Sequence, residues 1–211
     1  MSSSPRAGCL PRIGGALALD FCNSTTGRGT DRFVEHLFDH EDLLRWAVFN
    51  ELLPIEAAAK LAARTPSRER EAAFAAAMRL RGLLNRIFDA LARGEPADAG
   101  SLAEVRDRAK EEWRSAALVR AGSGYAWRFT PPDAHPDALL GPIVRSAVEV
   151  LIGRDLARLK VCPGQHCGWV FLDTTKNANR VWCEMEVCGT RAKLRRRAQT
   201  RREAGGRRAT T

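Results

Sequence analysis

The chain has 211 residues, 45% hydrophobic and 28% charged, a composition of globular proteins that excludes disordered and collagen-like classes. It contains no run of about 18 apolar residues, so no membrane span is expected, and Met1 to Pro11 lacks the apolar stretch of a secretory signal. The expectation is a cytoplasmic protein with one ordinary domain and a small appended module. The formal net charge is +9 and unevenly placed: residues 154–211 hold 14 Lys or Arg against 5 Asp or Glu, while residues 1–153 balance at 20 of each. Any polyanion is therefore met by the C-terminal end.

Residues 1–13, with Ser, Pro and Arg, read as a flexible N-terminus. Leu17, Leu19 and Phe21 alternate with Ala18 and Asp20, a period of two that predicts a short extended segment. From Asp39 the period lengthens: Leu43, Leu44, Ala47, Val48 and Leu52 predict a helix, and Pro54 opens a second one to about Arg64. Thr65 and Pro66 predict the cap and first turn of the longest helix. Its apolar face carries Ala73, Ala77, Leu80, Leu84, Ile87, Phe88 and Leu91, and Gly94 stops it. Ser101 and Glu104 have capping-box spacing ahead of Leu102, Val105, Ala109 and Trp113. Tyr125, Trp127 and Phe129 then alternate after Gly122, Ser123 and Gly124, which predicts a hairpin with Leu118 and Val119. Pro142 opens a helix whose face of Ile143, Val144, Ala147, Val148, Leu151 and Ile152 must be buried in the domain or in a dimer seam. The fold expected is mainly α: a helical domain over 14–153 with a small β-hairpin, suited to sensing or dimerisation, followed by a zinc finger over 154–203.

That finger rests on four of the six cysteines. Cys162 and Cys167 have four residues between them, as do Cys183 and Cys188, and fifteen separate the pairs. In a cytosolic chain such clustering favours metal over disulfides, and four thiolates complete the tetrahedron of one structural Zn2+ with no open position for chemistry. Gly164, Gly168 and Gly189 ease the turns, and Trp169–Leu172 with Arg180–Trp182 are predicted to pair across Asn177–Asn179, giving a treble-clef-like finger. Two modules of this kind predict that Cys183→Ser would melt the finger and leave the helical domain folded. His166 beside Cys167 is a second-choice ligand, read as a loop residue. His36 and His40, four apart, are read as surface or capping residues.

Thr190 is the predicted N-cap of a helix carrying Arg191, Lys193, Arg195, Arg196, Arg197, Arg201 and Arg202, with Leu194 and Ala198 as a narrow docking stripe. Neutralising a zinc tetrathiolate accounts for two or three of these bases. The density beyond that points to phosphate contacts, in which Arg180 is included. Residues 204–211 read as a flexible basic tail. DNA is the expected partner, with RNA or protein binding through an exposed Trp169 or Trp182 as the alternative. No catalytic constellation is present, since Cys22 with His36 or His40 is a lone pairing, and the protein is not expected to be an enzyme. Asp20, Asn23 and Arg28 are candidates for an effector pocket in the helical domain, which is also a candidate for homodimer formation.

These motifs resemble the CGNR-type zinc finger: CGWVFLD at Cys167–Asp173, NRVWCEM at Asn179–Met185 and CGTR at Cys188–Arg191. Thr190 stands where the signature has Asn, and Val181 where the pattern has a second Arg. The GGALALDF run from Gly14 to Phe21 is similar to the opening of the helical ABATE domain that precedes this finger in bacterial proteins. The resemblance implies a stress-associated bacterial transcription regulator. It implies neither an operator nor an inducer.

Overall fold

Apolar residues at helical spacing build most of the chain, and the computed structural model describes residues 7–153 and 155–208, with side chains through Arg201. Residues 1–6 and 209–211 of the two expected flexible ends lie outside the described residues, as does the Arg202 side chain. Just inside the first end, a short 3-10 turn at Ala7–Cys9 leads to Leu10, which is buried in the core.

The segment read as extended is helix α1 (Leu17–Cys22). Its periodicity misleads because the helix is covered on several sides, so Ala18, Leu19, Phe21 and Cys22 are all buried and no polar face remains to mark the turn. A two-residue ladder, β1 (Thr25–Thr26) with β2 (Val34–Glu35), follows. Helix α2 (His40–Phe49) is capped by the Asp39 carboxylate, which accepts from the Asp42 N–H at 2.8 Å. Helix α3 (Ile55–Arg64) leads into α4 (Ser67–Ala92), the spine of the molecule. Thr65 closes α3, its hydroxyl donating to the Leu61 carbonyl at 2.6 Å, and does not cap α4.

Helix α5 (Ala99–Arg114) starts earlier than its capping-box pattern implied. Asp98 accepts from Ser101 N–H at 2.7 Å, while the Ser101 hydroxyl accepts from Arg86 and Glu104 pairs with Arg79. The predicted hairpin is β3 (Ala117–Ala121) with β4 (Gly124–Arg128), pairing Leu118 with Trp127. Helix α6 (Leu140–Ile152) turns Leu140, Ile143, Val144, Ala147 and Val150 inward and leaves Ile152 exposed.

Leu80, Leu83, Leu84, Ile87 and Phe88 of α4 form the centre of the core, with Leu19, Phe21, Trp46 and Ile143 around them. Phe21 and Trp46 pack tilted, 5.1 Å between ring centroids. The same continuous cluster takes in Leu159, Trp169, Val170, Phe171 and the four C-terminal cysteines, so the finger is built onto this core.

Candidate metal centre and nucleic-acid interface

In the finger, strand β5 (Leu159–Val161) pairs antiparallel with β6 (Val170–Leu172), Val161 opposite Val170. The sequence-predicted partner of β6, Arg180–Trp182, is not a strand. It belongs to a loop folded around Asp173, whose fully buried carboxylate accepts from Thr175 N–H and Oγ1, Arg180 N–H and the Lys160 ammonium, the last at 2.6 Å. Burial pushes this carboxyl up, but the Lys160 ammonium, the Thr175 hydroxyl and the backbone N–H groups outweigh it and hold it well below the usual carboxylate range. Sequence reasoning missed this hub. Its signal is the Asp-x-Thr of an Asx turn, which leaves two polar residues directly behind an apolar strand.

The β5–β6 hairpin brings Cys162 and Cys167 together in its turn, where Cys162 N–H donates to Trp169 O at 2.7 Å and Cys167 N–H to Gly164 O at 3.0 Å. Gly164 is required by close approach, because a Cβ there would lie 2.9 Å from Cys167 Cβ and 3.2 Å from Cys188 Sγ. Cys183 ends the loop, and a wide turn over Met185–Gly189, with Cys188 N–H bonded to Glu184 O, supplies the fourth sulfur. All four buried sulfurs lie within 4.8 Å of one another. The Cys167–Cys183 and Cys183–Cys188 separations are 3.5 and 3.6 Å. Ligands at about 2.3 Å in a tetrahedron stand roughly 3.8 Å apart, so the set fits zinc and is too open for disulfides.

The thiols fit a cation electrostatically as well. Hydrogen bonds from Cys167 and Cys183 push the Cys162 thiol far down. Cys167 and Cys183 are pushed up by their bonds to Cys162, and Cys188 by burial. One thiolate forms readily, and further ones need a positive ion among them. The four cysteines thus form the site of a single structural zinc. His166 stands outside the sulfur cluster, with Nδ1 3.6 Å from Asp31.

The turn at Met185–Gly189 runs directly into α7 (Thr190–Arg208). Thr190 is therefore not an N-cap: it already has helical dihedrals, and its hydroxyl donates to Met185 O at 3.3 Å. The helix continues past Gly205, where the sequence suggested a break. Leu194 and Ala198 are exposed and do not dock on the finger. At about 100° per residue, Arg191, Lys193, Arg195, Arg196, Arg197 and Arg201 are distributed around the whole axis. All are exposed, and none makes an ion pair among the described residues, unlike Arg28, Arg79, Arg81, Arg114 and Arg145 of the helical unit. Arg191 and Arg195 line a cavity of about 370 Å3 shared with Cys167, Cys183 and Cys188. On α7 these two bases thus border the roughly −2 formal charge of a zinc tetrathiolate.

Arg180 has a different role from the one expected. Its guanidinium stacks 4.3 Å over Phe171 and donates to the carbonyls of Ile13, Leu172, Trp182 and Cys183, so it is spent inside the fold. The three effector-pocket candidates are likewise engaged in contacts that hold the fold together. Asp20 accepts from Gly14 N–H at 2.8 Å. Asn23 pairs with both backbone groups of Val170 at 2.9 Å. Arg28 donates to Asp89, Cys22 O and Gly168 O. With Trp169 Nε1 donating to Thr25 O at 2.8 Å and Leu172 N–H to Gly14 O at 2.8 Å, these contacts fasten the finger to the helical unit. Burial pushes the Cys22 thiol up to about 12, the opposite of an activated nucleophile, and His36 Nε2 shares a hydrogen bond with Thr26 Oγ1.

Among the described residues no helix is long and apolar enough to cross a membrane. Comparison with family models matches residues 15–154 to ABATE, described as "Putative stress-induced transcription regulator", and residues 158–202 to the CGNR zinc finger. No protein of curated function matches the chain.

Proposed function

The chain belongs to the ABATE family and ends in a CGNR zinc finger, and we propose that it is a zinc-dependent transcription regulator whose α7 contacts duplex DNA. The observation that carries this reading is a set of exposed cations, without ion-pair partners among the described residues, on a helix that continues directly from the turn carrying Cys188. Arg191 and Arg195 offset thiolate charge, and Lys193, Arg196, Arg197 and Arg201 are left for phosphates. A helix with bases all around its axis suits the major groove, about 12 Å wide, where both flanking backbones are within reach. Its 19 residues make it roughly 28 Å long.

The helical unit senses a signal or forms a homodimer, and the exposed Leu118, Tyr125 and Trp127 of the β3–β4 hairpin give it apolar surface for either role. An RNA-stacking role is less well supported, because Trp169 is buried and hydrogen-bonded and Trp182 is half-buried.

Fluorescence anisotropy with a labelled duplex tests the proposal. Binding should be present at low salt and weaken steeply between roughly 50 and 200 mM, with a log–log slope of about 0.9 per phosphate neutralised. Absence of binding at low salt, or a flat salt response, contradicts it.

A further inference from the structure

His40 stands at the start of α2 with 4% of its surface exposed, yet neither ring nitrogen has a hydrogen-bond partner among the described residues. Burial pushes its pKa down, aided by the Arg70 guanidinium and opposed by Asp39, Asp137 and Glu41. The neutral ring therefore offers one donor and one acceptor, both unused.

The ring lines a concavity of about 290 Å3 between the first turns of α2 and α4. That volume is just below the range of ligand pockets, roughly 300–1,000 Å3, so it suits a small ligand. Phe38, more than half exposed, and Phe74 supply apolar surface. The charges are mixed. Arg70 has no ion-pair partner among the described residues, and it shares the lining with Asp39, Glu41 and Glu71. Part of that acidity is committed: one Asp39 oxygen caps α2, Glu41 pairs with Arg45, and one Glu71 oxygen accepts from Ser67 at 3.2 Å, leaving its other oxygen open among the described residues. The positive ends of two helices also face this region. A simple anion would meet the carboxylates, and a simple cation would meet Arg70 and the helix termini.

We propose that this concavity binds a small zwitterion with an apolar body, such as an apolar α-amino acid. Its carboxylate pairs with Arg70, its ammonium with Glu71 and the second Asp39 oxygen, and its side chain covers Phe38 and Phe74. His40 supplies the hydrogen bond that fixes orientation. The site is on the helical unit, away from the cysteines, and does not depend on the DNA-binding reading.

Calorimetric titration of the full-length, zinc-loaded protein with L-phenylalanine, L-leucine, phenethylamine and 3-phenylpropionate tests it. At least one of the two amino acids should bind at millimolar concentration or better, and both single-charge analogues should bind about tenfold or more weakly, since each lacks one charge-assisted pair. Arg70→Gln and Phe38→Ala alter partly or largely exposed side chains and should leave the fold intact. Arg70→Gln should abolish the preference for phenylalanine over phenethylamine, and Phe38→Ala should weaken binding severalfold. The proposal is overturned if neither amino acid binds, if either analogue binds as well as phenylalanine, or if the preference survives Arg70→Gln.

Discussion

Asp20 and Asn23 are polar residues in an apolar setting, and their partners explain the Gly14–Phe21 run better than a ligand does. A Cβ at Gly14 would come within 2.8 Å of Leu19 Cβ and 2.9 Å of Asp20 Oδ1, so the bare glycine lets the Asp20 carboxylate receive the N–H groups at the entrance of α1. Burial raises this carboxyl from 3.8 to about 6, against the hydrogen bonds from Gly14 and Ile13 and the charge of Arg12. The folded protein therefore binds the proton more tightly than the unfolded chain does. The resulting stability is fully present below about pH 4 and is lost as pH rises through about 6, amounting to about 1–3 kcal/mol. Asp20→Asn keeps the acceptor oxygen and removes the titration. Urea unfolding at several pH values should show the variant gaining on the native protein between about pH 4 and 6.5, with little further change above about pH 7, and curves that run parallel across that window would contradict this assignment.

Among the elements, those with long uninterrupted periodicity were legible. The apolar face of α4, the inward residues of α6 and the Leu118–Trp127 hairpin all follow from spacing. Two short elements were not. Helix α1 is covered on too many sides to show a period, and β6 pairs with β5 upstream, not with Arg180–Trp182, because Asp173 folds that stretch into a hydrogen-bonded loop. The cysteine ligands were legible because metal spacing survives either pairing. The role of Arg180 was not, since a cation stacked on Phe171 and one facing solvent read alike in sequence. This difference separates two variants. Replacing Arg196 and Arg197 together with Ala on exposed α7 should leave the thermal midpoint within about 2 °C and lower the DNA salt slope by up to roughly 1.8. Arg180→Ala removes four carbonyl contacts and a stacked guanidinium from the finger, so its loss of DNA binding should come with loss of stability.

At the scale of the whole molecule, the cysteines share one continuous core with α1, α4 and α6, so metal and fold are coupled further than two separate modules would allow. Asn23, Arg28 and Trp169 tie the metal hairpin to the helical unit, and removing zinc frees ends that these hydrogen bonds need held. Chelation or Cys183→Ser should therefore lower the main cooperative transition of the entire chain. A helical unit melting at its original temperature after zinc loss would restore the two-module description. The same coupling sets the orientation of α7, whose basic row continues the turn that carries Cys188. The most direct measurement follows DNA affinity while zinc is withdrawn by a graded chelator and then returned. Affinity should fall in proportion to zinc content and recover on re-addition. An apo protein that binds duplex as tightly as the zinc form, with the same salt slope, would show that the metal does not present the helix to DNA.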